Sequence, residues 1–130
     1  MNALLGNEGR KIDSLADLGI ARSKDSTDYY YFLLYKASTK MWVNNYRSMD
    51  SLVVRFKKYA DRAPSSPKMN DLLAKYYVLT GNRASVNSKF NDAVKNYEKA
   101  YSYQEKGTKP LYKTTILTDL SDSYLAMSDY

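Results

Sequence analysis

Apolar residues recur along this chain at spacings of three and four, and no stretch alternates with a period of two. Helix-interrupting residues are sparse, with 5 glycines and 3 prolines. The pattern predicts helices almost throughout. A first short helix is built on Ile12, Leu15 and Leu18. The polar stretch Ser23-Lys24-Asp25-Ser26-Thr27 then offers small side chains as N-caps for a second helix, from about Asp28 to Asn44, with Tyr30, Leu33, Leu34, Ala37 and Met41 as its stripe. A third, from about Met49 to Arg62, carries Leu52, Val53, Phe56, Tyr59 and Ala60. The clearest break is Ala63-Pro64-Ser65-Ser66-Pro67, where Ser66 caps a fourth helix and Pro67 takes its first position. That helix runs from Lys68 to Thr80 on Leu72, Leu73, Tyr76, Tyr77 and Leu79, with Gly81 and Asn82 near its end. A fifth, from about Ser88 to Glu105, presents Phe90, Ala93, Val94, Tyr97, Ala100 and Tyr101. After Lys106-Gly107-Thr108-Lys109-Pro110, a last helix from about Leu111 carries Ile116, Leu117, Leu120, Tyr124 and Met127. About six helices joined by short loops imply antiparallel hairpins and an all-α fold.

Composition narrows the class. At 130 residues and 14.9 kDa the chain has the size of one ordinary domain, and 44% hydrophobic residues are enough for a core. The longest apolar-aromatic run, Tyr29 to Tyr35, is much shorter than a membrane span, and mean hydropathy is −0.60. Neither cysteine nor histidine occurs, which removes disulfides, thiol nucleophiles, His-based triads and the usual zinc and haem ligands. Lysine and arginine outnumber the acids 20 to 14, for a net charge of +6, which allows attraction to anionic partners. The excess is spread out. Its densest cluster, Arg55, Lys57, Lys58 and Arg62, has helical spacing beside apolar positions and no groove-reading motif, so it reads as a solvated helix face before a nucleic-acid patch. Tyrosine, with 14 residues, dominates the aromatics; it buries a large ring while keeping a polar end wet, which suits thin helical layers and binding surfaces. The run Tyr29-Tyr30-Tyr31-Phe32 is too wide for a single stripe, so part of it must pack on both neighbouring helices or stay exposed as a contact surface.

From Ala74 to Pro110, the order Tyr77, Gly81, Phe90, Ala93, Tyr97, Ala100 resembles a tetratricopeptide repeat, with matching offsets from Gly81 to Ala93, Ala93 to Tyr97 and Tyr97 to Ala100. Thr80 and Ala84 depart from the pattern, standing where an apolar residue and a tyrosine are expected. The resemblance implies a right-handed, TPR-like superhelix over residues 1–130: a degenerate repeat over 28–62, the best repeat over 70–106, and the start of a truncated one over 111–130. In the degenerate repeat Leu52, Phe56 and Tyr59 imitate the second helix, which puts Lys36 and Lys40 at the Trp/Leu and Gly positions of the first. A chain stopping in mid-repeat is expected to be a segment of a longer protein. It is similar to the sensor regions that precede a membrane helix in some bacterial signalling proteins. That likeness implies an extracytoplasmic location, with the cytoplasm as the alternative; the absence of cysteine is compatible with an oxidising compartment.

Catalytic groupings are weak. Asp119 and Asp122 stand three apart on one helix face, and Asp13 with Asp17 four apart, but nothing in the sequence separates their proton affinities. Ser88 with Lys89, and Ser38 with Lys40, lack the burial that would lower a lysine's pKa. Gly6 and Gly9 lie in a polar segment without a preceding strand, so no phosphate loop is formed. Enzyme activity, a cofactor and a metal site are therefore not expected. Binding remains. In tetratricopeptide arrays the first helix of each hairpin lines a concave groove, and the resemblance places its ligand contacts at Lys75, Val78, Asn82, Ser85, Thr115, Thr118, Asp122 and Leu125. Val78 stands where members that clamp a peptide C-terminus carry lysine. The chain thus reads as a protein- or peptide-binding interaction and sensing module, with a basic helical module for nucleic acid as the alternative. The apolar load of the last helix adds an expectation of self-association through it.

Overall fold

The computed structural model describes residues 14–20, 26–108 and 113–128, and all secondary structure among them is helical. The elements are α1 (14–20), α2 (Ser26–Trp42), α3 (Tyr46–Ala60), α4 (Pro67–Val86), α5 (Phe90–Glu105) and α6 (Lys113–Ser128). The all-α expectation holds. The chain divides into two compact units, Met1–Ala63 and Pro64–Tyr130, at the loop where the prolines fall.

In the first unit α2 packs on α3 around Leu33, Leu34, Ala37, Met49, Val53 and Phe56, all buried. The aromatic run is shared out among three directions. Tyr30 stacks on Tyr59 with centroids 4.0 Å apart and meets Phe56 edge-on. Phe32 lies against Gly19 of α1, where a Cβ would meet its ring at 2.5 Å. Tyr31 points outward, donating to the Tyr35 hydroxyl at 3.2 Å; burial and that neighbour push its pKa up to about 12. On α1 it is Ala16 that is buried, while Leu15 and Leu18 are exposed, contrary to the stripe read from the sequence; Ile12 lies outside the described residues. At Gly19 this short helix approaches the Phe32 ring of α2 too closely for a large side chain.

In the second unit α5 packs against both α4 and α6. α4 begins as expected: the Met69 amide donates to Ser66 Oγ at 3.1 Å and Pro67 occupies the first turn. It does not end at Gly81. The helix continues to Val86, and Gly81 is buried at its closest approach to α5, where a Cβ would meet the Tyr97 ring at 2.5 Å. Glycine serves packing here, not termination. Ala93, Tyr97, Ala100 and Ile116 form a buried cluster joining α5 to α6, with Tyr77, Val78 and Leu120 packed beside it. On α6 the inward stripe runs through Ile116, Leu120 and Ser123, so Leu117 and Tyr124, read as part of the apolar stripe, are 46% and 50% exposed. They stand about 100° further round the helix. The loop after α5 is tied back to the start of α4. Asn70 Nδ2 donates to the Lys106 carbonyl at 3.1 Å, the Thr108 amide donates to Asp71 Oδ1 at 2.9 Å, and the Thr108 hydroxyl donates to Asp71 Oδ2.

The α2–α3 and α4–α5 connections are the same turn. In the first, Asn44 sits at φ 60°, its amide donates to Met41 and that of Asn45 to Lys40; in the second, Ser88 sits at φ 58°, its amide donates to Ser85 and that of Lys89 to Ala84. Each is a helix end closed by a left-handed residue with the 6→1 and 5→2 bonds, followed at once by the next helix. Aligning the sequence on Asn44 and Ser88 of the two turns sets Ala37 against Gly81, Met49 against Ala93, Val53 against Tyr97 and Phe56 against Ala100. Counted back from the turn, the matching positions in α2 therefore fall three residues earlier than the sequence reading places them. Ala37, not Lys40, matches Gly81 of the second hairpin, and Leu33, not Lys36, matches Tyr77; Ala37 and Leu33 are both buried. Lys36 instead pairs with Asp17 of α1.

Candidate functional site

The residues expected to line a groove divide into three groups. Lys75, Val78, Asn82 and Ser85 lie three or four apart along one side of α4, but Val78 packs against the Ala93–Ile116 cluster and is not a free contact. Thr118, Asp122 and Leu125 are exposed on α6, Leu125 by 65%. Thr115 belongs to α6, but its side chain lies outside the described residues.

Asn82 and Ser85 meet at the Tyr97 hydroxyl. Tyr97 is 2% exposed; its ring fills the space left by Gly81 and its hydroxyl donates to Asn82 Oδ1 at 2.5 Å. Ser85 Oγ lies 3.4 Å away, and since the phenol's one proton is given to Asn82, Ser85 is the donor in that contact. From α6, Asp119 and Asp122 face the same phenol electrostatically. Burial, reinforced by these two carboxylates and opposed by the Ser85 bond, pushes the Tyr97 pKa up to about 12. Asp119 is itself raised above the ordinary carboxylate value, first by desolvation and then by Asp122. The sequence singles out the spacing of Asp119 and Asp122 only as a weak acid–base pair; in the fold both carboxylates act electrostatically on Tyr97 of α5, which spacing along α6 cannot reveal.

The arrangement can hold a polar ligand and orient it. Tyr97 remains a neutral donor at physiological pH. Asn82 is committed to it, while Thr118 and Asp122 are exposed on α6. The other groupings make bonds of their own. Ser38 Oγ donates to the Leu34 carbonyl at 3.2 Å. In the basic cluster of α3, Arg55 donates to the Tyr29 hydroxyl, Lys57 pairs with Asp61 at 2.8 Å and Arg62 Nε donates to the Lys58 carbonyl. That cluster is largely tied down within its own unit.

What the fold defines is an all-α protein of antiparallel helical hairpins. Compared with known proteins, the chain matches no family model, no curated sequence and no solved structure. No described helix is long and apolar enough to cross a membrane.

Proposed function

We propose that the chain is a protein- or peptide-interaction module of tetratricopeptide-like hairpins, the sensing part of a larger signalling protein, whose partner lies along α4 and α6. The observation that carries this reading is the convergence at Tyr97. Asn82 and Ser85 of α4 hydrogen-bond the Tyr97 hydroxyl of α5, and Asp119 and Asp122 of α6 act on the same phenol electrostatically. Stacked helical hairpins build extended recognition surfaces in this way. An extended peptide would find donors and acceptors along α4 and α6, and Leu125 as an apolar contact.

The test selects peptide binders from a displayed library and maps them by NMR. Perturbations at Lys75, Thr118, Asp122 and Leu125 are expected, with binding lost in Thr118→Arg/Asp122→Arg. These positions are exposed, so the double variant should keep its stability within about 0.5 kcal/mol. Asn82→Ala is a poor probe of binding, because it strips the acceptor from a buried phenol and costs roughly 1–3 kcal/mol. Binding that survives Thr118→Arg/Asp122→Arg but disappears with Arg55, Lys57 and Lys58 would move recognition to α3 and to an anionic partner such as nucleic acid.

A further inference from the structure

On the side of α4 away from Asn82 and Ser85 lies a second concavity. Thr80 and Arg83 of α4 and its C-cap Asn87 follow one another by three and four positions, about half a turn round from the face that meets Tyr97. With Asp92, Lys95, Asn96 and Lys99 of α5 and Lys89 of the turn, they line an open cleft of about 400 Å³. Four cations and one carboxylate meet there, a local excess well above the chain average. Lys89, Lys95 and Lys99 are exposed at its walls. Lys89 occupies the N-cap position of α5 without making a side-chain cap bond. Lys99 is held over the Tyr77 ring, 5.3 Å from its centroid. Arg83 is braced by donating to Asn87 Oδ1 at 3.3 Å. The floor is built: the Thr80 hydroxyl donates to Asn96 Oδ1 at 3.0 Å, and Asn96 Nδ2 donates to the Asp92 carbonyl at 2.8 Å. Among the described residues Asp92 forms no ion pair with the lysines beside it, so their charge is not cancelled inside the cleft.

We infer that the α4–α5 cleft binds a compact polyanion carrying two or more phosphate groups. Its volume is that of a small-molecule site. Neutralising an excess of three positive charges in so little space favours phosphates, each carrying up to two charges, over carboxylates with one apiece. Lysine meets phosphate as a point charge, and Lys89, Lys95 and Lys99 stand exposed to supply three such charges. The site is independent of the α4/α6 face, and either can fail without the other.

The test is calorimetric titration of the whole chain with sodium tripolyphosphate, with ATP, and with a short oligoglutamate peptide of equal charge. Saturable one-to-one binding of tripolyphosphate is expected, with ATP within a few-fold of it because the site reads the phosphate groups. Lys95→Gln/Lys99→Gln should lose affinity by about tenfold or more, the loss of one or more charge-assisted contacts. Arg55→Gln/Lys58→Gln, which removes the same net charge from α3, should stay near the parent. Circular dichroism melts of both variants check that each remains folded. Equal losses in the two variants would show attraction to net charge alone, and oligoglutamate binding more tightly than tripolyphosphate would replace phosphate by an acidic peptide. Either result, or the absence of saturation, overturns the inference.

Discussion

Counted from their shared turn, the buried positions Met49, Val53 and Phe56 on α3 match Ala93, Tyr97 and Ala100 on α5, which also buries Val94 and Gln104. Large side chains flank a medium one in the first hairpin, and small ones flank a large one in the second. The preceding helices differ to match, with Ala37 in α2 where α4 has Gly81. A common turn fixes how two helices meet, and within that frame volume is distributed in either of two complementary ways. Close packing constrains the total and the fit, not the identity of each residue.

Emptying the first hairpin should produce the largest effect. Phe56 is fully buried, and Phe56→Ala is expected to cost about 3–5 kcal/mol in denaturant unfolding. A loss below about 1 kcal/mol would mean that the ring is not the keystone of that hairpin. Next comes the glycine. Gly81→Ala drives a methyl into the Tyr97 ring and should cost roughly 1–3 kcal/mol. Transplanting the first hairpin's solution, Gly81→Ala with Tyr97→Val, should be less destabilising than the sum of the single changes; strict additivity would disprove the register that equates the hairpins.

The turns offer a finer contrast. Both left-handed residues carry a Cβ, and serine tolerates that region less well than asparagine. Ser88→Gly should therefore raise stability by up to about 1 kcal/mol, and Asn44→Gly by less; equal gains would deny that residue chemistry distinguishes the two turns. The smallest effect belongs to Asp119, which has no counterpart in the first hairpin. Its proton is held more tightly in the fold than in the unfolded chain, so ionisation weakens the fold as pH rises through the acidic range. Asp119→Asn should melt above the parent at neutral pH, with the gap closing below about pH 4, where the carboxyl is protonated in both states.

Much of this architecture is legible in the order of residues alone. Ser66-Pro67 announces the start of α4 because a cap and an imino acid act locally. The Gly81, Ala93, Tyr97, Ala100 pattern places the α4–α5 contact because small residues mark where helices approach. Two errors have physical causes. Gly81 looks like a terminator since glycine is both the commonest helix stop and the only residue a close ring permits. The three-residue slip in α2 arises because such a shift turns a helix by only about 60°, leaving most of an apolar stripe facing inward. The convergence at Tyr97 and the basic α4–α5 cleft are not legible in this way, since each joins residues from different helices whose rotation about one another no single-helix periodicity encodes.

The bonds from Asn70 and Asp71 to the loop at Lys106–Thr108 have a mechanical consequence. They fasten the open end of the α4–α5 hairpin opposite its turn, so that hairpin is a closed frame and not a pair of tines. Tension applied between the start of α4 and the start of α6 is borne by these short bonds loaded together, while the two helices stay side by side. A force-extension trace pulled between those points should yield at the fastening before the hairpin lengthens. In Asp71→Ala, which keeps only the Asn70–Lys106 bond, the first event should come at lower force.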